Sequence, residues 1–284
     1  MLTTAFKRTR QIDLSVIIPL MEDRDETLTL IQPVICGLRE APRTQLVLIG
    51  NGQTGTRVAE KFYTPPGFPK ADVGKLPWNV GVAAAWNLGA SMAEGEILLY
   101  LNDDCVPGGG DANDPHRVER GQELIRRMYG ILKDRPDIGI VGVEGHNLKW
   151  AGERPINAPD AGCFRGFESF GIDPRRPHWT PPPPEGIETQ VITGHCFMVR
   201  AADLIECGKF DERYSPAFCE EYALAFEMRQ RLGKKSLCMP GIVHHEIGAS
   251  QLRHAIPALT GYVEIHKHAI FANWELHKRY HGQP

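Results

Sequence analysis

The stretch Glu96-Ile97-Leu98-Leu99-Tyr100-Leu101-Asn102-Asp103-Asp104 decides the fold. Its apolar residues follow one another without the alternation of a half-exposed strand. The spacing therefore predicts a strand over 96–101 that is buried on both faces, as strands of helix-covered parallel sheets are. The apolar run breaks at Asn102, leaving Asn102, Asp103 and Asp104 at its carboxyl end. In open α/β sheets ligands bind beyond the carboxyl ends of the strands, so these side chains face a crevice.

Leu14 to Leu20 and Leu46 to Ile49 are runs of the same kind, the first ending at Pro19-Leu20 and the second closed by Gly50-Asn51-Gly52. Glu26 to Leu38 has apolar residues at helical spacing, and Val80 to Ala93 is alanine-rich and helix-prone. Strand, helix, strand, helix, strand is the order of an α/β domain with a mixed, mostly parallel sheet flanked by helices. Three strand ends then share one crevice.

Downstream, Pro107 to Pro115 reads as a flexible loop, Arg117 to Lys133 as an amphipathic helix and Ile138 to Val143 as a buried strand. Gly152 to Gly186 is dense in Pro and Gly, with Pro181 to Pro184 suited to polyproline II, and a loop of that length is usually functional or disordered. Its Phe164, Phe167, Phe170 and Trp179 could grip a ring-shaped ligand or simply pin the loop. Thr189 to Val199 reads as a strand, Ala201 to Cys207 as a short helix, Glu220 to Leu232 as a longer one and Ser236 to Val243 as a strand. Thr260 to Tyr280 has helical spacing and is expected to pack on the domain, with peripheral membrane contact or a homodimer interface as weaker roles.

The formal charge of -3 gives no basic surface for a phosphate backbone, which excludes nucleic acid as the expected partner. Seven cysteines without a C-x-x-C pair fit reduced thiols, and no run approaches the roughly 18 apolar residues of a membrane span. A soluble, unprocessed, cytoplasmic protein is the expectation.

Asn102-Asp103-Asp104 offers oxygen donors of the kind that Mg2+ and Mn2+ take, although Asn and Asp also favour plain turns. Glu220 and Glu221 open a helix, where they could serve chemistry or only complement the helix dipole. His244 and His245 follow the last buried strand and could ligate a metal or be structural.

Taken in order, these motifs resemble the family-2 glycosyltransferases of the GT-A fold. Ser15-Val16-Ile17-Ile18-Pro19 is similar to that family's opening strand. Asn79-Val80-Gly81 through Ala85-Trp86-Asn87-Leu88-Gly89 resembles its N-x-G-x-x-x-A-x-N-x-G helix, and Leu101 to Asp104 resembles its D-x-D region. Thr193 to Arg200 resembles its acceptor-side strand, and Gly208-Lys209-Phe210-Asp211-Glu212 its G-x-F-D-E segment, which brings Glu220-Glu221 onto the acidic pair that opens its catalytic helix. The resemblance implies a catalytic domain over 1–250, with a nucleotide-sugar half at about 12–105, an acceptor half at about 106–250 and a helical appendage at 251–284.

What the resemblance further implies is inverting transfer from a UDP-, dTDP- or GDP-sugar to a glycan, lipid-linked or small-molecule hydroxyl, assisted by Mn2+ or Mg2+. Asp104 and His245 would hold the metal, and Glu221, beside Glu220, would be the general base. Pro19, Leu20, Glu22, Asn51, Asn79, Gly81, Trp86, Asn87, Asn102 and Asp103 would face the donor, and Gly194, His195 and Asp211 the acceptor. Asn51, Asn102, Ala223 and Glu227 depart from the pattern, where the family has acids at the first three positions and an arginine at the fourth. A sugar nucleotidyltransferase is the competing enzyme class, but Leu20-Met21-Glu22-Asp23 is not its Gly-rich basic loop. A non-catalytic nucleotide-sugar-binding relative is the third possibility.

Overall fold

The computed structural model describes residues 12–21, 25–38, 42–62, 71–148, 150–151, 154–155, 167–172, 177, 179–214, 217 and 219–245. The chain opens with β1 (Leu14–Leu20), α1 (Asp25–Cys36), β2 (Thr44–Asn51), α2 (Gln53–Lys61) and β3 (Asp72–Leu76). It continues through α3 (Val82–Met92), β4 (Ile97–Leu101), β5 (Cys105–Pro107), α4 (Arg117–Asp134), β6 (Ile138–Gly142) and β7 (Gly145–Leu148). Short pieces follow at β8 (Trp150–Ala151), β9 (Arg154–Pro155), β10 (Phe167–Phe170), β11 (Ile187–Thr189) and β12 (Val191–Ile192). The last elements are β13 (Cys196–Arg200), α5 (Ala201–Glu206), α6 (Glu220–Leu232), β14 (Lys235–Cys238) and β15 (Val243–His245).

Eight strands form the central sheet in the order β11-β14-β6-β13-β4-β1-β2-β3. The pairs β4-β1, β1-β2, β2-β3 and β6-β14 are parallel, whereas β13 runs antiparallel between β4 and β6. Burial on both faces follows from the continuous apolar runs. In β1, Leu14, Val16, Ile18 and Leu20 join a core with α1, α4 and Val58 of α2, while Ile17 turns to the opposite core with α3 and α6. In β4, Leu99 and Leu101 face the first core and Leu98 and Tyr100 the second, the two-residue period of a strand.

Helix α3 lies close on this sheet because Gly89 has no side chain. A Cβ there would meet Ile17 Cγ2 at 2.3 Å. The second core is closed by aromatic rings, with Trp86 at 4.9 Å from Phe210 and 5.4 Å from Tyr100, and Tyr100 stacked on Phe197 at 5.1 Å.

Several expected boundaries change. The stretch 189–199 is not one strand, because Thr193, Gly194 and His195 form a turn before β13. The run 236–243 divides into β14 and β15, and β15 pairs with β5 in a separate two-stranded ribbon. Pro107 thereby ends a strand, β5, instead of opening the loop that the Pro and Gly content suggests. Helix α2 and edge strand β3 carry too weak an apolar pattern to be foreseen. Residues 260–280 and Phe164 lie outside the described residues.

Gly89→Val would push a branched side chain into Ile17. It is expected to destabilise the fold by about 1–3 kcal/mol, as overpacking of a tight core does. A lower urea midpoint at unchanged m-value would verify this, and an unchanged midpoint would refute the close approach.

Candidate active site

The topology brings the ends of β1, β2, β4 and β6 and the start of β13 to one edge of the sheet. At β4 the chain turns sharply, so that Asn102 is partly buried and Asp103 and Asp104 are only 5% exposed. Asp103 is fixed by the end of β1, its Oδ2 accepting the Met21 N–H at 3.1 Å. Asp104 points the other way, toward the β5-β15 ribbon, with its Oδ1 at 3.6 Å from His245 Nε2. Period-two alternation separates the histidine pair. His245 stands opposite Cys105 on the ladder and faces Asp104, whereas His244 is opposite Val106 and exposed.

Asp104, Cys105 and His245 can each present a ligand atom with all three atoms within 4.8 Å of one another. The cluster is largely buried and combines carboxylate, imidazole and thiol, donors that fit a divalent cation. His195, 1% exposed, stacks on His245 with ring centroids at 4.5 Å and has its Nδ1 at 3.7 Å from Glu144 Oε2. Glu144 is itself buried and directly follows the apolar run of β6. Glu144 shares the sequence signature of Asn102–Asp104, a polar residue just past an apolar run, but as a single acid it does not stand out from a solvated turn.

The turn before β13 joins two halves of the site. Asn102 N–H donates to the His195 carbonyl at 3.0 Å, and Gly194 N–H donates to Glu221 Oε1 at 3.1 Å. His146 in β7 steadies this turn, with Nε2 at 2.9 Å from Thr193 Oγ1 and Nδ1 at 3.1 Å from Ser169 Oγ. Glu220 and Glu221 begin α6, which is entered through Cys219 at φ 70°, a left-handed conformation that costs a non-glycine residue energy. Among the described residues Glu221 Oε2 has no hydrogen-bond partner. Burial pushes the Glu221 carboxyl up to about 7, only partly offset by hydrogen bonds from its own N–H and from Gly194.

Other residues singled out in the sequence are engaged elsewhere. Asn51 is 2% exposed and stitches β2 to the loop before α3, its Oδ1 accepting Val80 N–H at 3.0 Å and its Nδ2 donating to Asn79 Oδ1 at 3.1 Å. Asn79 Oδ1 also accepts the N–H of Gly81, which adopts φ 94° to lead into α3. Trp86 is 1% exposed inside the aromatic core, and Asn87 holds the Phe210 backbone through both its amide atoms, at 2.8 and 3.0 Å. Each of these four side chains is thus held by its own hydrogen bonds or by packing in the core. Pro19 and Leu20 are buried in β1, and Glu22 lies outside the described residues.

Asp211 is bound to Arg213 and lines a separate cavity of about 610 Å3 with Asn87, Ala223 and Glu227. Glu227 pairs with Arg231 one turn along α6. Phe170 and Trp179 are buried, Trp179 edge-on to His146 at 5.4 Å, so they pin their segment against β7.

The family model described as "Glycosyl transferase family 2" matches residues 15–208. The O-antigen biosynthesis protein RfbC of Myxococcus xanthus is 26% identical over 258 residues, covering 86% of this chain, which spans 18% of that relative's length. Among solved structures, GalNAc-T7 with UDP, GalNAc and Mn2+ shares the fold at a TM-score of 0.58 and 16% identity, over 83% of this chain and 43% of that one.

The raised Glu221 carboxyl has a consequence for stability. An exposed Glu titrates near 4.3, and the folded chain holds this proton up to about 7. Its contribution to stability is therefore greatest below pH ~4.3 and is lost as pH rises through about 7. Glu221→Gln should flatten that loss, gaining on the unaltered protein by no more than about 4 kcal/mol at pH 8. Denaturant midpoints of the two proteins across this range check it, and parallel curves would count against the burial.

Proposed function

The chain belongs to glycosyl transferase family 2, and on that premise we propose that it moves a sugar from a nucleoside-diphosphate sugar to a hydroxyl acceptor with inversion, using Glu221 as general base. The observation that carries this reading is the Glu221 carboxylate. One oxygen is held by Gly194 N–H, the other has no partner among the described residues, and its affinity for protons is matched to neutral pH.

In this reading Glu221 Oε2 takes the acceptor hydroxyl proton as that oxygen attacks the anomeric carbon. The bond from that carbon to the departing diphosphate breaks on the opposite face, which inverts the centre. Gly194 N–H fixes the carboxylate, so the base keeps one orientation through the step. Burial in the neutral resting state keeps the carboxyl poised without a standing charge to solvate. Asp103, anchored to β1, borders the donor side, and Asn102 is oriented through the His195 carbonyl.

Asp104 and His245 would hold a divalent cation, Mn2+ or Mg2+, whose contribution when bound is to neutralise the departing diphosphate. GalNAc-T7 was solved with UDP and Mn2+, and its shared fold supports a nucleotide-sugar donor here. The O-antigen biosynthesis role in the name of RfbC supports a glycan or lipid-linked acceptor. No helix among the described residues is long and apolar enough to cross a membrane. A cytoplasmic location is part of the proposal.

Thermal-shift titration with UDP, dTDP and GDP is the first experiment, each with and without Mn2+, because a ligand of the native state raises its apparent stability. A shift with one diphosphate that needs Mn2+ and disappears in Asp104→Ala is expected. Absence of any shift would refute the donor reading. With the donor known, Glu221→Gln should lower kcat by about 100-fold or more while the diphosphate still binds. In the unaltered protein kcat/KM should rise with pH through about 7, since the deprotonated carboxylate is the active form. A glutamine variant with full turnover would reassign the base.

A further inference from the structure

We propose that Cys105 is a third protein ligand of the cation held by Asp104 and His245, and that the site therefore binds a borderline ion such as Zn2+ or Co2+ more tightly than Mg2+. This rests on the metal reading given above and adds a donor and a metal class to it.

The placement comes from strand register. Cys105 opens β5 directly opposite His245 of β15, and side chains of opposed residues on an antiparallel ladder leave the same face with Cβ atoms about 4.5–5.5 Å apart. Asp104 precedes Cys105 at the turn, and the Cys105 thiol lies 3.5 Å from its Oδ1. Donors to one ion lie no further apart than about twice a bond length of roughly 2.0–2.3 Å. The 4.8 Å within which the three donor atoms fall is a few tenths of an ångström from that limit. A small rotamer adjustment at His245, the most exposed of the three, closes it.

Burial grades the cluster. Cys105 is fully buried, Asp104 is 5% exposed and His245 is partly exposed, so sulfur sits at the floor. As the sulfur–metal bond forms, the thiol proton leaves to solvent, because a coordinated thiol is deprotonated outright. Thiolate and imidazole donors favour zinc and cobalt, whereas magnesium prefers oxygen alone.

The test is a Co2+ titration of the reduced, metal-free full chain, followed by ultraviolet and visible absorption. The expected result is a sulfur-to-cobalt charge-transfer band in the unaltered protein that is lost in Cys105→Ala and Cys105→Ser, while the visible d–d bands remain. Zn2+ should displace the cobalt at equimolar concentration and Mg2+ should not at hundredfold excess. Zn2+ affinity should fall tenfold or more in Cys105→Ala, whose fold is checked by circular dichroism. Cobalt bound without the charge-transfer band, or a band that survives Cys105→Ala, overturns the assignment of Cys105 and leaves Asp104 and His245 as a site for hard cations. Absence of any bound cobalt overturns the assignment together with the metal reading itself.

Discussion

The antiparallel insertion of β13 between β4 and β6 is the constraint on which the site depends. Parallel strands present only their carboxyl ends to a crevice, so the residues that enter it come from loops leaving the sheet. Because β13 runs the other way, a turn entering the sheet, Thr193-Gly194-His195, arrives at the same edge. Its backbone then does two jobs at neighbouring residues, accepting from Asn102 beyond β4 and donating to Glu221 at the start of α6. Without that reversal the segments at Asn102 and Glu221 would have no common hinge.

At the same edge, polar side chains also hold the backbone in place. Asn51 stands where the family has an acid, and the loop before α3 has taken up its amide group in a mutual network with Asn79. At α6 the substitutions are accommodated locally. Ala223 is buried without a polar atom to satisfy, and Glu227 finds its partner in Arg231 on its own helix. Neither change reaches Glu221, whose surroundings are set by the turn before β13 and by the strained entry at Cys219.

Much of this was legible in sequence because both-face burial writes a continuous apolar run. β1, β2 and β4 are such runs, so the crevice and the residues closing β4 could be located from the pattern alone. What could not be read was register. That His245 and not His244 meets Asp104 depends on the pairing of a three-residue strand, and that Cys105 stands across from it depends on the same ladder. Trp86 and Asn87 illustrate a related limit. They belong to one motif, and only the structure shows that both meet Phe210, Trp86 through its ring and Asn87 through the backbone. Glu144 was missed for another reason, since a single acid after a strand looks like any solvated turn until a buried histidine is found beside it.

The β5-β15 ribbon carries a consequence for how the molecule is made. Every strand of the eight-stranded sheet has left the ribosome by Cys238, while His245 is still to come. Domains fold as their elements emerge during synthesis, so the sheet can assemble before the far side of the crevice is in place. A chain cut short after β14 would keep all eight strands of the sheet but lose Met239 and Val243 from the first core together with the residue that faces Asp104.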